Sequence, residues 1–326
     1  MNMNNRTQTN LFFTLDSLVP NNHPYRKLDK LLSFYEISKS YNDLYSHRGR
    51  KEKGVEFGLR ALVLQFIEDL SDREMARFLK ENNTGKWFCK LGLGDKAPDH
   101  SYFGDFRKRL GTKNLMDIFS EVRKSLQSMG LIREVFTFVD ASKLISKLTT
   151  WDHRDKAIKI GLEEFNNKTA TKVASDKDAR FGCRGNHQYW YGYKEHVSVD
   201  MQSGLINKIA ATSAEVIDAK GVKHVCPSGA AVYGDKGYCV SPAKQTLKQN
   251  ACHNATIKKN NMKNKNKDKD KDRWLSGIRS PYERVFSNRN NKVRYRGLAK
   301  VQFQVGIRGL VFNLKRLMVL GVVQIE

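Results

Sequence analysis

The sequence lacks any apolar run of the eighteen or so residues that a membrane-crossing helix needs, which argues against a bilayer span. Its first ten residues, MNMNNRTQTN, hold no apolar stretch of the kind found in secretory leaders, so no signal segment is predicted. The five cysteines (Cys89, Cys183, Cys226, Cys239 and Cys252) contain no CxxC pair, and their spacing fits no familiar zinc module. Free thiols in a reducing cytosol are the preferred reading, with a metal site at Cys226, Cys239 and Cys252-His253 as the alternative.

Negative charge is scarce as well. Thirty-four Asp and Glu face 58 Lys and Arg, a net +24 with a sequence pI of about 9.8. Self-repulsion on that scale disfavours a compact chain unless a polyanion normally sits on it. Nucleic acid is the first candidate and an acidic membrane surface the rival. The imbalance is uneven: residues 1–130 carry 22 basic and 16 acidic side chains, whereas from Ser276 onward ten basic residues face only Glu283 and Glu326. A solitary acid in so positive a stretch calls for a reason.

A chain of 326 residues can bury one large core or two smaller ones. Residues 1–130 read as helical. Phe57–Leu70 is a largely apolar helix, and Ser71 with Glu74 forms a capping box that opens a short helix through Leu79. Pro98, Asp99 and Ser101 mark a further start, Phe103, Phe106 and Leu110 give it an apolar face, and Gly111 ends it. From Asn114 to Met129, apolar residues recur at three- and four-residue spacing up to Gly130. Short helices joined by tight turns suit a helix-turn-helix-like DNA-binding bundle, the alternative being a helical cap without DNA contact.

The texture changes at Glu134. Val135–Asp140 reads as a buried strand ending in a carboxylate. Ser142–Arg184 carries no clear signal. Tyr189–Asp200 and Leu205–Ser213 alternate as two strands joined by a turn at Gln202-Ser203-Gly204. A helix is expected over Ala214–Val225, a strand ending in Asp235 over Ala230–Asp235, a helix over Ser241–Gln249 and a strand over Ala255–Ile257. Residues 258–273, rich in lysine, read as a flexible tether, followed by helices over Arg279–Phe286 and Gly297–Leu320. Asp200, Asp218 and His196 read as structural. Two strand-end acids and one on a later helix can converge at the edge of a sheet, where their repulsion is relieved by divalent cations with a preference for oxygen ligands.

The motifs resemble those of bacterial insertion-sequence DDE transposases, in particular the group named after insertion sequence five. LSDREMARFL (70–79), KWFCKLGL (86–93) and PDHSYFGDFRKRL (98–110) are similar to the family's N-terminal domain. TFVDAS (137–142), NHQYWYGYKEHVSVD (186–200), VYGDKGY (232–238), the Arg279-xxx-Glu283 segment and FNLKRL (312–317) are similar to its catalytic motifs. The resemblance implies an α/β, ribonuclease-H-like mixed sheet flanked by helices over residues 131–326, preceded by an all-helical DNA-binding domain over residues 1–130. It further implies Asp140, Asp235 and Glu283 as ligands of two Mg²⁺ ions, with Mn²⁺ as a substitute. Phosphate contacts are expected from Arg279, Lys236, Lys194, Arg289, Lys292, Arg294 and Arg296. Cleavage at the element's terminal inverted repeats and strand transfer into target DNA would follow, performed by a homodimer on DNA in the bacterial cytoplasm, associated with the nucleoid. The chain departs from the wider Tyr-Arg-Glu-Lys signature at Ser276 and Asn290. The rival expectations are a nuclease without strand transfer and a catalytically inactive DNA-binding regulator.

Overall fold

The computed structural model describes residues 14–45, 53–147, 167, 170–171, 174–184, 188–258, 269–286 and 290–325. These fall into two compact units that divide after Gly111, with residues 321–325 joining the first.

The first unit is helical: α1 (Pro24–Leu31), α2 (Phe34–Lys39), α3 (Gly54–Ile67), α4 (Asp72–Glu81), α5 (Asn83–Phe88) and the opening of α6 (His100–Ser128). α3 is buried from Val55 to Phe66 apart from Glu56, even at Arg60. The Arg60 guanidinium is tolerated there because it donates to Asp29 (2.5 Å) and Glu56 (2.8 Å) and lies over the Phe34 ring. α4 opens on the expected capping box: the Ser71 hydroxyl accepts from the Glu74 N–H, and the Glu74 carboxylate accepts from the Ser71 N–H at 2.8 Å. Gly111, at φ +67°, breaks the helical run of α6 where the sequence placed a stop.

Among its described residues the second unit has six strands: β1 (Phe136–Ile145), β2 (Arg180–Arg184), β3 (Gln188–Asp200), β4 (Ile206–Ser213), β5 (Ala231–Tyr233) and β6 (His253–Asn254). β3 pairs antiparallel with β1, β2 and β4, while β1–β5 and β5–β6 are parallel. This is the mixed, ribonuclease-H-like sheet that the family resemblance implied. Around it stand α7 (Asp218–Gly221), α8 (Ser241–Gln249), α9 (Lys269–Arg279) and α10 (Leu298–Val319). Val139, Ala219, Val222, Ala230, Val232, Tyr238, Ala243 and Leu247 pack α7 and α8 on β1 and β5. α10 lies along β4, where its Asn313 and Gln302 amides accept from the Ile206 and Ala211 N–H groups at 2.7 and 2.6 Å.

Several expected elements are revised. β1 does not end at Asp140 but runs five residues further, paired with β3 throughout. The helix over Ala214–Val225 shrinks to α7 and a 3-10 turn, Val222–His224. The Lys194 ammonium holds both the Val216 carbonyl and the Asp218 carboxylate, which keeps the chain before Asp218 from coiling. The sixth strand falls at His253–Asn254, because the Asn254 side chain then turns the backbone by accepting from Thr256. The tether gives way to α9 at Lys269, whose first-turn Asp270 and Asp272 suit a helix N-terminus; of its remaining residues only Lys258 is described. Arg279 closes α9, and Ser280–Phe286 is a 3-10 turn.

Asp200, read as structural, accepts from the backbone N–H groups of Arg133, Gln202 and Ser203 and builds the β3–β4 turn. His196 is buried and hydrogen-bonded to the Thr212 hydroxyl at 2.8 Å, and burial pushes its pKa down to about 4, so it is a neutral core residue. Gly192 has φ +153°, and a Cβ there would lie 2.1 Å from the Leu144 carbonyl oxygen, so β1 and β3 cross too closely for any side chain.

Candidate active site

Strand register brings the first two acids together. β1 and β5 run parallel with Phe138 opposite Tyr233. Two residues further along each chain stand Asp140 and Asp235, at the same end of adjoining strands. Side chains alternate along β1, so Val139 enters the core beneath α7 and α8 while Asp140 shares the side of Phe138. β5 ends because the Asp235 carboxylate accepts from the Lys236 N–H at 2.5 Å and starts a 3-10 turn, Lys236–Tyr238. β1 next meets a partner on that edge at Ile145, which bridges to Lys292. Asp140 therefore stands in a stretch of strand edge between two pairings.

The third acid arrives from the end of α9. Glu283 lies in the 3-10 turn, whose Tyr282 ring sits 6.2 Å from that of Phe138, and the Tyr282 hydroxyl donates to the Met201 carbonyl. Arg279 ties the acids together: its guanidinium donates to Glu283 at 2.9 Å and is 3.6 Å from Asp235. Its charge also lowers the proton affinity of Asp140. Burial outweighs that effect and pushes the Asp140 carboxyl up to about 7, with Asp218 and Glu283 adding negative potential. The buried Tyr238 hydroxyl is held well above its ordinary value, first by burial and then by the charges of Asp140, Asp218 and Asp235.

Each acid is committed through one oxygen: Asp140 Oδ1 to the Ala141 N–H, Asp235 Oδ1 to the Lys236 N–H and Arg279, Glu283 Oε1 to Arg279. No described residue donates to the second oxygen of any of the three. Carboxylate oxygens are the hard donors that Mg²⁺ and Mn²⁺ prefer. Among the described residues, however, no three acids, histidines or cysteines stand where together they could hold a metal ion. A guanidinium lies between the second and third acids instead.

Of the other residues singled out by sequence, Lys236, Lys292 and Arg296 are exposed and Arg294 is half-buried. The 290–296 segment is pinned beside the end of β1: the Arg294 N–H donates to Gln304 at 2.7 Å, and Arg308 donates to the Asn290 carbonyl at 2.9 Å. Arg289 lies outside the described residues. Lys194 is nearly buried, its ammonium given to Asp218 (2.7 Å) and to the Val216 carbonyl (2.9 Å). Asp218 was read from sequence as merely structural, yet its charge reaches Asp140 and Tyr238. The signal that could have exposed it is Lys194, a lysine on a strand otherwise built for burial.

Two family models match. One, a transposase domain of the DUF772 type, covers residues 13–109, and the other, a transposase DDE domain, covers residues 151–314, about half of the chain. The chain belongs to the DDE transposases. Asp235 and Glu283 fall within the second match, and Asp140 lies between the two. This transposase is 28% identical over 224 residues to the transposase for insertion sequence element IS1106 of Neisseria meningitidis serogroup B, an alignment spanning 65% of this chain and 76% of that one. Among solved structures it is similar to the piggyBac transposase in a synaptic complex with hairpin DNA, with a TM-score of 0.37, 11% identity and coverage of 91% and 76% of the two chains. It is also similar to the Mos1 transposase in a paired-end complex with left transposon end, with a TM-score of 0.20, 7% identity and coverage of 86% and 83%. As an insertion-sequence DDE transposase it is an enzyme that acts on DNA, of a family that generally uses divalent metal ions. No helix among the described residues is long and apolar enough to cross a membrane.

Proposed function

We propose that this transposase belongs to the insertion-sequence-five group, and that Asp140, Asp235 and Glu283 hold two Mg²⁺ ions, for which Mn²⁺ substitutes. The observation that carries the assignment is the parallel register of β1 and β5, which sets Asp140 beside Asp235, together with the Arg279 bridge from Asp235 to Glu283. Divalent ions bound there would activate the attacking hydroxyl and neutralise charge on the transferred phosphoryl group. The chain's own part would be to turn the free oxygens of the three carboxylates toward a shared ion position, which requires Arg279 to give way between Asp235 and Glu283. The backbone N–H groups of Ala141 and Lys236 fix two of the acids by their other oxygens. Neither step needs a covalent protein–DNA bond, so no nucleophilic side chain is assigned.

Lys236, Lys292, Arg294 and Arg296, with Arg289, are the residues proposed to bind phosphates. Such contacts orient DNA without reading its sequence and weaken steeply with salt. Recognition of the terminal inverted repeats is proposed for residues 50–130. Synapsis of two ends requires two copies, so a homodimer on DNA is proposed, working in the bacterial cytoplasm at the nucleoid. Strand nicking and strand transfer from pre-cut ends, measured with Mg²⁺ for the wild type and Asp235→Asn, test the reading. Loss of both activities by at least about a thousandfold in the variant is expected, since a metal ligand is removed. Equal background in both proteins would leave a DNA-binding regulator, and nicking without strand transfer a simple nuclease.

A further inference from the structure

We infer that Arg279 is a built-in competitor of the divalent ions rather than a ligand of DNA phosphate: its guanidinium is paired with Glu283 and Asp235, two of the carboxylates that the ions must share. The inference rests on the metal-binding reading of Asp140, Asp235 and Glu283.

Four observations support it. First, the side chain of Arg279 is 9% exposed, whereas those of Asp235 and Glu283 are 52% and 53% exposed. The acids are therefore far more open than the guanidinium to a phosphate arriving from solution. Second, its two terminal nitrogens are divided between the acids, one 2.9 Å from Glu283 Oε1 and the other 3.6 Å from Asp235 Oδ1. Third, the guanidinium lies 5.9 Å from the centre of the Phe138 ring, on the strand that carries Asp140, so an apolar floor supports it from below. Fourth, the Arg279 Nε is buried with no hydrogen-bond partner. A buried donor without a partner costs free energy, so the residue is held by its charge against the acids rather than by a complete set of hydrogen bonds.

An arginine keeps its proton at any pH a protein survives. The charge therefore stays when a doubly charged ion approaches the other oxygens of the same carboxylates, and the two cations repel. Arg279 then does two opposing things. It relieves the repulsion among three acids gathered at one strand end, which favours the fold. It also lowers their affinity for the ions, so that tight binding requires a further source of negative charge. DNA phosphate is that source: entering the site it supplies both oxygen ligands and counter-charge, and the ions bind well only when the substrate is present. The arrangement couples metal loading to DNA loading through one side chain.

The test is Mn²⁺ binding to the full-length protein without DNA, followed by calorimetry and by the spin-resonance signal of free Mn²⁺. Arg279→Gln, which keeps the length of the side chain and removes its charge, is expected to bind Mn²⁺ about tenfold more tightly than the wild type, about 1.4 kcal/mol. Arg279→Lys keeps the charge but cannot span both acids, and an increase of about threefold is expected; it carries the test if the glutamine variant fails to fold. In parallel, the dependence of DNA affinity on salt is measured without divalent ions. If Arg279 held a DNA phosphate, its replacement by Gln would reduce the slope of log affinity against log salt by about one, whereas an unchanged slope is expected here. Equal or weaker Mn²⁺ binding in the folded variants, or the reduced slope, overturns the inference. A wild type that binds no Mn²⁺, indistinguishable from Asp235→Asn, would instead remove the metal-site reading on which it stands.

Discussion

Replacing Asp140 by Asn should stabilise the metal-free protein at alkaline pH. The amide oxygen can still accept from the Ala141 N–H, which Asp140 Oδ1 accepts at 2.8 Å, so the backbone is left in place and only the charge is removed. Burial raises the Asp140 carboxyl from an ordinary 3.8 to about 7. Between those limits the folded chain binds more protons than the unfolded one, so stability falls as pH rises through the window, and the loss is complete above pH 7. At about 1.4 kcal/mol per tenfold in proton affinity, the ceiling is about 4 kcal/mol. The carboxyl is only partly withdrawn from water, and about half of that, about 2 kcal/mol, is the expected gain for the variant. For a unit the size of residues 112–320, which carries Asp140, the gain corresponds to a rise of about 4–8 °C in its melting transition. Melting followed by circular dichroism in EDTA at pH 8 reads the gain, and at pH 4 the two proteins should melt within a degree or so of each other. Adding Mg²⁺ at pH 8 should raise the wild type and leave the variant where it was. The reasoning fails if Asp140→Asn melts at or below the wild type at pH 8 in EDTA, or gains as much at pH 4 as at pH 8.

Gly192→Ala places a Cβ 2.1 Å from the Leu144 carbonyl oxygen at a positive φ, where the strand that carries Asp140 crosses its neighbour. A loss above about 3 kcal/mol is expected, read as a fall in soluble yield and in the urea midpoint, and an alanine variant as stable as the wild type would contradict the close crossing. Ser71→Ala removes the hydroxyl that accepts from the Glu74 N–H at the start of α4. It should cost the first unit about 1 kcal/mol in urea unfolding, with Ser71→Thr recovering most of it; equal losses in both variants would argue against the cap.

Local signals were easiest to read where one residue does one job. The capping box at Ser71 and Glu74, the break at Gly111 and the turn after Asp200 are short-range devices, and each was visible in the sequence. The run of β1 beyond Asp140 was not, because Ser142 and Lys143 look like loop residues until β3 is known to pair with them. The short α7 was missed for a related reason: Lys194, twenty-four positions earlier, takes the carbonyl and carboxylate that open it. The motifs named three acids and one arginine but could not show how they stand. That depends on a parallel register between strands nearly a hundred residues apart and on a nearly buried Arg279 beside two exposed acids. Lys194 and Arg279 were both read as phosphate ligands; the carboxylates each one meets, Asp218 for Lys194 and Asp235 with Glu283 for Arg279, are neighbours that a sequence conceals.

The amides of Asn313 and Gln302 occupy N–H groups of β4 that a foreign strand would otherwise use. Growth of the sheet by adding a strand from another molecule is thereby hindered at two positions along that border. In the proposed homodimer, a sheet continued across the pair along β4 would have to displace α10 from both.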